Sequence, residues 1–459
     1  MKRFTVKPRF TTRNLAYVGT PEGHESDWIY MGRLAETGGN TDVRFDVRSP
    51  HVVALFGKRG SGKSYTMGSM LEGLCTVKKE TCVSQIERDK AILLFDTLGI
   101  FQWTDISLDD AVNSEVLKMQ RANWRNWTLK PEQLDVQVWI PKGTRTDATP
   151  ISHKEFSIRT CDFTADDWGY LLDLNIYQDR MGQLLNDAYI KVTLEGWSGS
   201  TSTHQPKAAY SIEDLIECVK QDIELNESYQ SETRRAVIQQ LTTYYRNPLF
   251  DDQGTPLFEM LTAGRMNVLV MSRMASSLRL VILSAMVRRL MDERMVASEM
   301  EKHLHIRPDL SEDERHKIIE ILATSIPPTW IALDEAQNIL PSEKKTTAGE
   351  MLIRYVREGR NYGLSFMVAT QQPTAIDDRL LAQVDTIVAH KLTVQNDIDY
   401  IRRNLKSNMP VEIAHSGRIL DFGELMRSLD VGQALISNTE TERAIIVDIR
   451  PRISVHGGF

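Results

Sequence analysis

The octapeptide Gly57-Lys-Arg-Gly60-Ser61-Gly62-Lys63-Ser64 constrains this chain more than any other stretch of it. It fits the pattern GxxxxGK[ST]. An apolar run, His51 to Phe56, precedes it, and a segment that reads as a helix, Tyr65 to Leu74, follows. Glycines let the backbone curl until several N–H groups converge on one centre, and the positive end of the next helix adds to that field. A polyphosphate suits such a centre. Lys63 is placed to reach the β- and γ-phosphates and Ser64 to hold Mg²⁺, while Gly57, Gly60, Ser61, Gly62 and Tyr65 complete the cradle. The cofactors expected on this ground are ATP and Mg²⁺.

A second motif supplies carboxylates. Trp330-Ile-Ala-Leu-Asp334-Glu335 is an apolar strand ending in two acids. Phosphoryl transfer to water needs one carboxylate near the metal and another to orient or deprotonate the attacking water. Asp334 suits the first role and Glu335 the second. The next apolar strand, Leu364 to Ala369, leads to Thr370-Gln371-Gln372-Pro373, which puts Gln371 where it can sense a γ-phosphate. Between the two strands, Arg354, Arg357 and Arg360 recur every third residue. They read either as a solvated helix face paired with Glu350 and Glu358, or as the source of an arginine finger reaching a neighbouring subunit. Arg360, just before the glycine turn into the strand, is the candidate for the finger.

The rest of the chain sets these motifs in an α/β frame. Apolar strands at Ala91–Asp96, Asn267–Met271, Trp330–Leu333, Leu364–Ala369 and Thr386–His390 alternate with helical segments such as Leu278–Met300 and Ser311–Ala323. That alternation predicts a mostly parallel sheet with helices on both faces. Residues 1–50 carry short alternating stretches (Phe4–Val6, Trp28–Met31, Val43–Val47) that read as a small β module. Residues 106–261 change character: one strand-like run, Val136–Ile140, then helical segments at 165–186, 212–227 and 232–245, with a Ser/Thr-rich loop at 198–205. They are expected to form a mainly helical insertion, which leaves 51–105 and 262–459 as the core. The four cysteines are widely spaced and fit no metal pattern. No apolar run approaches membrane-spanning length and no leader-like segment opens the sequence, so a cytoplasmic protein without membrane contact is expected.

Taken in order, GKRGSGKS, LLFDTLGIF, GRMNVLVMS, WIALDEAQNIL, REGRNYGLSFMVATQQP, VDTIVAHKL and the terminal RPRISVHGGF resemble the HerA-type ATPases of the HerA–FtsK branch of P-loop proteins. The resemblance implies a RecA-like core, assembly as a homo-hexameric ring, and translocation of double-stranded DNA through the pore beside a partner. It also implies Lys63 and Ser64 on phosphate and Mg²⁺, Asp334 on Mg²⁺, Glu335 as catalytic base, Gln371 as sensor and Arg360 as trans finger. The first 50 residues are too short for the full N-terminal barrel of archaeal members. In this the chain is similar to compact bacterial HerA proteins of anti-phage systems, whose effectors are nucleases or sirtuin-like NADases. No second catalytic constellation is visible here, so such an activity would belong to another subunit.

The net charge of −7 argues against a protein that coats nucleic acid, yet allows a pore lined by a few basic residues per subunit. Lys344 with Lys345, and Lys142 with Arg145, are the candidate DNA contacts. Two other classes compete with the motor. One is an ATP-gated ring scaffold that assembles and regulates an effector with little translocation of its own. The other is a conjugation or secretion ATPase, disfavoured because such coupling proteins normally carry transmembrane helices.

Overall fold

The structure is a computed structural model that describes residues 9–12, 14–19, 27–35, 41–405, 413–415, 417–439 and 443–458. The Phe4–Val6 run lies outside the described residues. Among the described residues a fifteen-stranded sheet is the dominant element. Its central part is parallel and runs in the order Thr386–Ala389, Val52–Phe56, Ser365–Thr370, Thr329–Leu333, Ala91–Asp96, Met266–Val270, Val136–Pro141 and Lys154–Phe156. The first six of these strands are buried throughout, which is why their sequences are continuously apolar rather than alternating.

Alternate side chains still go to opposite faces. Ala54, Phe56, Leu93, Phe95, Ile331 and Leu333 pack with the long helix Ser276–Ile306 and the helix Thr347–Glu358. Val53, Leu55, Ile92, Leu94, Trp330 and Ala332 pack on the other face with Met67, Met70 and Leu71 of helix α1, Lys63–Leu74. The parallel register brings Phe56, Thr370 and Ala389 level with one another, and Leu333 beside Phe95. The carboxyl ends of the strands thus share one edge, where ligands of open α/β sheets bind.

Two joins in the sheet go beyond the sequence reading. Val136–Pro141, grouped there with the insertion, pairs in parallel with Met266–Val270 and extends the central sheet. The early strands also join this sheet. Trp28–Leu34 pairs with Arg443–Ile449, which pairs with Gln433–Asn438 and so with the central strands. Both joins are long-range pairings that no local pattern specifies. Within the helical stretch, the segment expected over 165–186 divides into Ala165–Leu172 and Arg180–Ile190, because Asp173 takes a left-handed conformation that ends the first helix. Asp222 similarly separates Ile212–Gln221 from Ile223–Ser228, and its carboxylate caps the second helix by accepting from the Leu225 N–H. Among the described residues no helix is long and apolar enough to cross a membrane.

Candidate nucleotide site

Gly57 leaves the end of the Val52–Phe56 strand so close to its neighbours that a Cβ there would lie 2.5 Å from Ser61 Oγ and 2.7 Å from His390 Cβ. Gly62 turns the chain into helix α1 at φ +110°, a conformation that side-chain-bearing residues rarely adopt. These two glycines therefore shape the loop. Inside it, the Ser61 hydroxyl and the Lys63 ammonium both donate to the Lys58 carbonyl, at 2.8 and 3.2 Å. Lys63 is buried, and that burial pushes its pKa below the ordinary lysine range while the Asp334 and Glu335 carboxylates pull it back up.

The carboxylates arrive from the neighbouring strand ends. Ser64 Oγ donates to Asp334 Oδ2 at 2.5 Å, and the Glu335 N–H donates to Asp334 Oδ1 at 2.8 Å. Asp334 is almost fully buried. Burial raises its pKa, the Glu335 charge adds to the rise, and the Ser64 bond opposes it. Among the described residues no group of three or more His, Cys, Asp and Glu side chains could hold a metal. Mg²⁺ does not need one, because it keeps several waters and binds through one or two protein oxygens plus phosphate. The oxygen-only pair Ser64–Asp334, beside a buried cation and at the mouth of the phosphate loop, fits that requirement.

Glu335 is held on both oxygens. Gln371 Nε2 donates to Oε1 and Gln337 Nε2 to Oε2, at 2.5 and 2.6 Å. Gln337 is steadied in turn, because Thr370 Oγ1 donates to its Oε1 at 2.7 Å. The Glu335 backbone sits at φ +54°, ψ +46°, in the left-handed region. That conformation is costly for a residue with a Cβ, and strain of this kind collects at functional positions. The result is a carboxylate aimed at the phosphate loop by two neutral amides and a strained turn.

Lys63, Ser64, Asp334, Glu335 and Gln371 are thus brought together, with Gly57, Gly60, Ser61 and Gly62 forming the loop around them. Two expected residues are placed differently. The Tyr65 hydroxyl accepts from the Arg452 N–H at 2.9 Å and its ring meets His456 edge-on, so its side chain is engaged by the 452–456 segment. Arg360 sits at the opposite edge of the sheet. It donates to Asp385 Oδ2 at 3.1 Å and to the Pro50 carbonyl, both at the amino ends of strands. A five-residue strand, roughly 17 Å, separates that edge from the phosphate loop of the same chain. Arg354 pairs with Glu358, as the solvated-face reading expects, whereas Glu350 pairs with Arg379.

Three further residues, His390, Thr97 and Gln337, escape sequence reasoning, while Asp96 ends one of the apolar strands the sequence predicts. His390, fully buried behind the loop, donates from Nδ1 to the Gln433 carbonyl and accepts at Nε2 from Thr66 Oγ1. Burial pushes its pKa down to about 4, with the Lys63 charge a lesser cause, so the ring is neutral. Asp96 accepts from the N–H groups of Gly99, Ile100, Phe101 and Gln102, and Thr97 Oγ1 donates to the Asp334 carbonyl at 3.4 Å. Gln337 could have been suspected only from its place two residues after Glu335. Of the candidate DNA contacts, Lys142 pairs with Asp251, and Arg145 donates to the Pro150 and His153 carbonyls. Lys344 and Lys345 are exposed in the loop after the Asp334 strand.

The fold and the site define a RecA-like P-loop ATPase. The HerA helicase central-domain model matches residues 29–290, more than half of the sequence, and the chain belongs to that family. It is similar to the DNA double-strand break repair helicase HerA of Saccharolobus solfataricus, 21% identical over 450 residues, which are 94% of this chain and 73% of that one. Its likeness to the HerA of Pyrococcus furiosus is 22% over 260 residues, 55% of this chain and 43% of that protein. A probable helicase of Methanocaldococcus jannaschii, MJ1565, matches at 26% over 132 residues, 29% of this chain. The chain spans about a quarter of that relative and under half of the Pyrococcus one. Among solved structures, VirB4 of Thermoanaerobacter pseudethanolicus superposes with a TM-score of 0.52 at 12% identity, covering 94% of this chain and 98% of that chain, a likeness of fold.

Proposed function

We propose that this protein hydrolyses ATP and uses the energy to move double-stranded DNA through a homo-hexameric ring, as the motor subunit beside a separate effector. The observation that carries the hydrolytic reading is the convergence of Lys63, Ser64, Asp334, Glu335 and Gln371 at one sheet edge. In this reading Lys63 and the loop N–H groups bind the triphosphate, and Ser64 and Asp334 hold Mg²⁺, which when bound neutralises charge on the β- and γ-phosphates. Glu335 orients a water in line with the γ-phosphorus and takes its proton, while the β–γ bridging oxygen leaves with ADP. Gln371, already bonded to Glu335, is the group that senses the γ-phosphate. Arg360 would act on a neighbouring subunit's nucleotide, since it lies far from its own. DNA handling rests on the family and on the names of the relatives. The effector, a nuclease or a sirtuin-like NADase in anti-phage defence, rests on the resemblance alone.

A second reading, an ATP-gated ring scaffold, is favoured by one observation: Lys142 and Arg145 are committed to local partners. Hydrolysis by the purified chain with and without linear duplex DNA, beside its mass in solution, separates the two. A ring whose turnover rises with DNA, and is lost in Lys63→Ala and Glu335→Gln, supports the motor. DNA-indifferent turnover across salt concentrations supports the scaffold. Absence of Lys63-dependent hydrolysis under all these conditions refutes the motor, and absence of ATP binding as well refutes both.

A further inference from the structure

The segment Arg450–His456 runs across helix α1, and its contacts are concentrated on one face of it. Tyr65, Gly68 and Glu72 are spaced three and four residues apart and so line a single stripe of the helix. The Arg452 N–H donates to the Tyr65 hydroxyl at one end of the stripe, and Arg452 Nε donates to Glu72 Oε1 at 2.9 Å at the other. Between them Gly68 leaves room for the guanidinium: a Cβ there would lie 2.5 Å from Arg452 Nη1. Arg450 Nη1 donates to the second Glu72 oxygen at 3.1 Å, and the N–H groups of Ile453 and Ser454 and the Ser454 hydroxyl also donate to this carboxylate. Glu72, Arg450 and Arg452 are fully buried.

Such a cluster is poorly explained as a source of stability. Apolar residues of similar volume would usually serve as well, whereas fixed charges impose one geometry. The strap's other side shows what that geometry joins. Arg452 Nη2 donates to Thr104 Oγ1 at 2.8 Å, the Leu108 N–H donates to the Ile453 carbonyl, and the Val455 N–H to the Ile106 carbonyl. This 104–108 segment continues from the Asp96 turn, whose Thr97 hydroxyl donates to the Asp334 backbone. One end of the connection is therefore the helix that begins with Lys63 and Ser64. The other is the turn that supports Asp334.

We propose that the Arg450–His456 strap is a positioning element of the nucleotide site, in which Tyr65, Glu72 and Arg452 hold helix α1 in register with the Asp96 turn and so set Ser64 against Asp334. The inference rests on the nucleotide reading above. Being coupled to both halves of the site, the strap tightens when a triphosphate does, and its loss acts on the transition state more than on binding.

Hydrogen exchange of the full chain with and without ATPγS and Mg²⁺ tests this. Amides of residues 57–66 and of residues 450–457 should both slow, the strap by about tenfold or more. Gly68→Ala displaces the Arg452 guanidinium without touching the phosphate loop. It should speed strap exchange and lower kcat about tenfold while KM for ATP changes by less than about threefold. Tyr65→Phe, which removes only the acceptor for the Arg452 N–H, should move the same readouts in the same direction and serves if Gly68→Ala does not fold. Protection at 57–66 without protection at 450–457 overturns the proposal and leaves the nucleotide reading intact. Folded variants with wild-type kcat overturn it too. No protection at 57–66 refutes the nucleotide reading, and this inference with it.

Discussion

Glu335 offers a way to weigh backbone strain separately from chemistry. Its φ of +54° and ψ of +46° place a Cβ-bearing residue in the left-handed region, beside a carboxylate that Gln371 and Gln337 both bond. Glu335→Ala and Glu335→Gly each remove that carboxylate and orphan the same two amides, so these losses cancel between the variants. What differs is the Cβ. A left-handed conformation costs an L-residue roughly 1–2 kcal/mol, while the greater freedom of glycine in the unfolded chain takes back about 0.4–1 kcal/mol. Glu335→Gly should therefore be the more stable variant by about 1 kcal/mol, although glycine ordinarily weakens a fold. In a chain this long that is about 1 °C in the calorimetric midpoint, and urea titration reads the same difference as free energy. Both variants should lose ATP hydrolysis alike. An alanine variant as stable as the glycine one, or more so, would mean that the turn is relaxed and that the strain argument fails.

Acid should weaken the region behind the phosphate loop. With a folded pKa of about 4 against an ordinary 6.5, His390 stays neutral in the native state while the unfolded chain binds a proton below about pH 6.5. Its contribution is complete above that pH and is lost as pH falls toward 4, about 2 kcal/mol of it between pH 7 and 5. Asp96, raised to about 6 by burial, works in the opposite sense, because the folded state takes up its proton first. Comparing wild type with His390→Gln isolates the histidine: the two denaturation midpoints should converge as pH falls, and parallel curves would refute the assignment. Gly57→Ala should abolish ATP binding with far less effect on the sheet, since its Cβ meets Ser61 and His390. Retained affinity for a fluorescent ATP analogue would show that the loop can give way.

The convergence of the site's residues was legible because they come in short runs. GKRGSGKS needs its glycines for the loop, and an apolar strand ending in Asp334-Glu335 needs no distant partner to be recognised. Gln371 was legible by the same logic, one strand further on. What could not be read were pairings across the chain. Val136–Pro141 looked isolated because its partner, Met266–Val270, comes more than a hundred residues later. Nothing local in the sequence marked Glu72 as the partner of Arg450 and Arg452, which the fold buries against it. Arg360 could be picked out for its charge and its turn, but its pairing with Asp385 across two loops was not inferable. His390 carried no motif; only its burial gives it a role.

The order of strands also bears on how the molecule is made. Val52–Phe56 takes as neighbours Ser365–Thr370 and Thr386–Ala389, which follow roughly three hundred residues later, so its contacts are of high order and slow to form. A ribosome adding about 5–20 residues per second completes that interval in about 15–60 s. During that time the apolar strand before the phosphate loop has emerged without the strands that will cover its edges, and it is a natural client for a chaperone. ATP can act as a folding ligand only at the last stage, when the Asp334 and Thr370 strands have closed on it. The phosphate loop comes early in synthesis, and its ability to hold a triphosphate is among the last things the chain acquires.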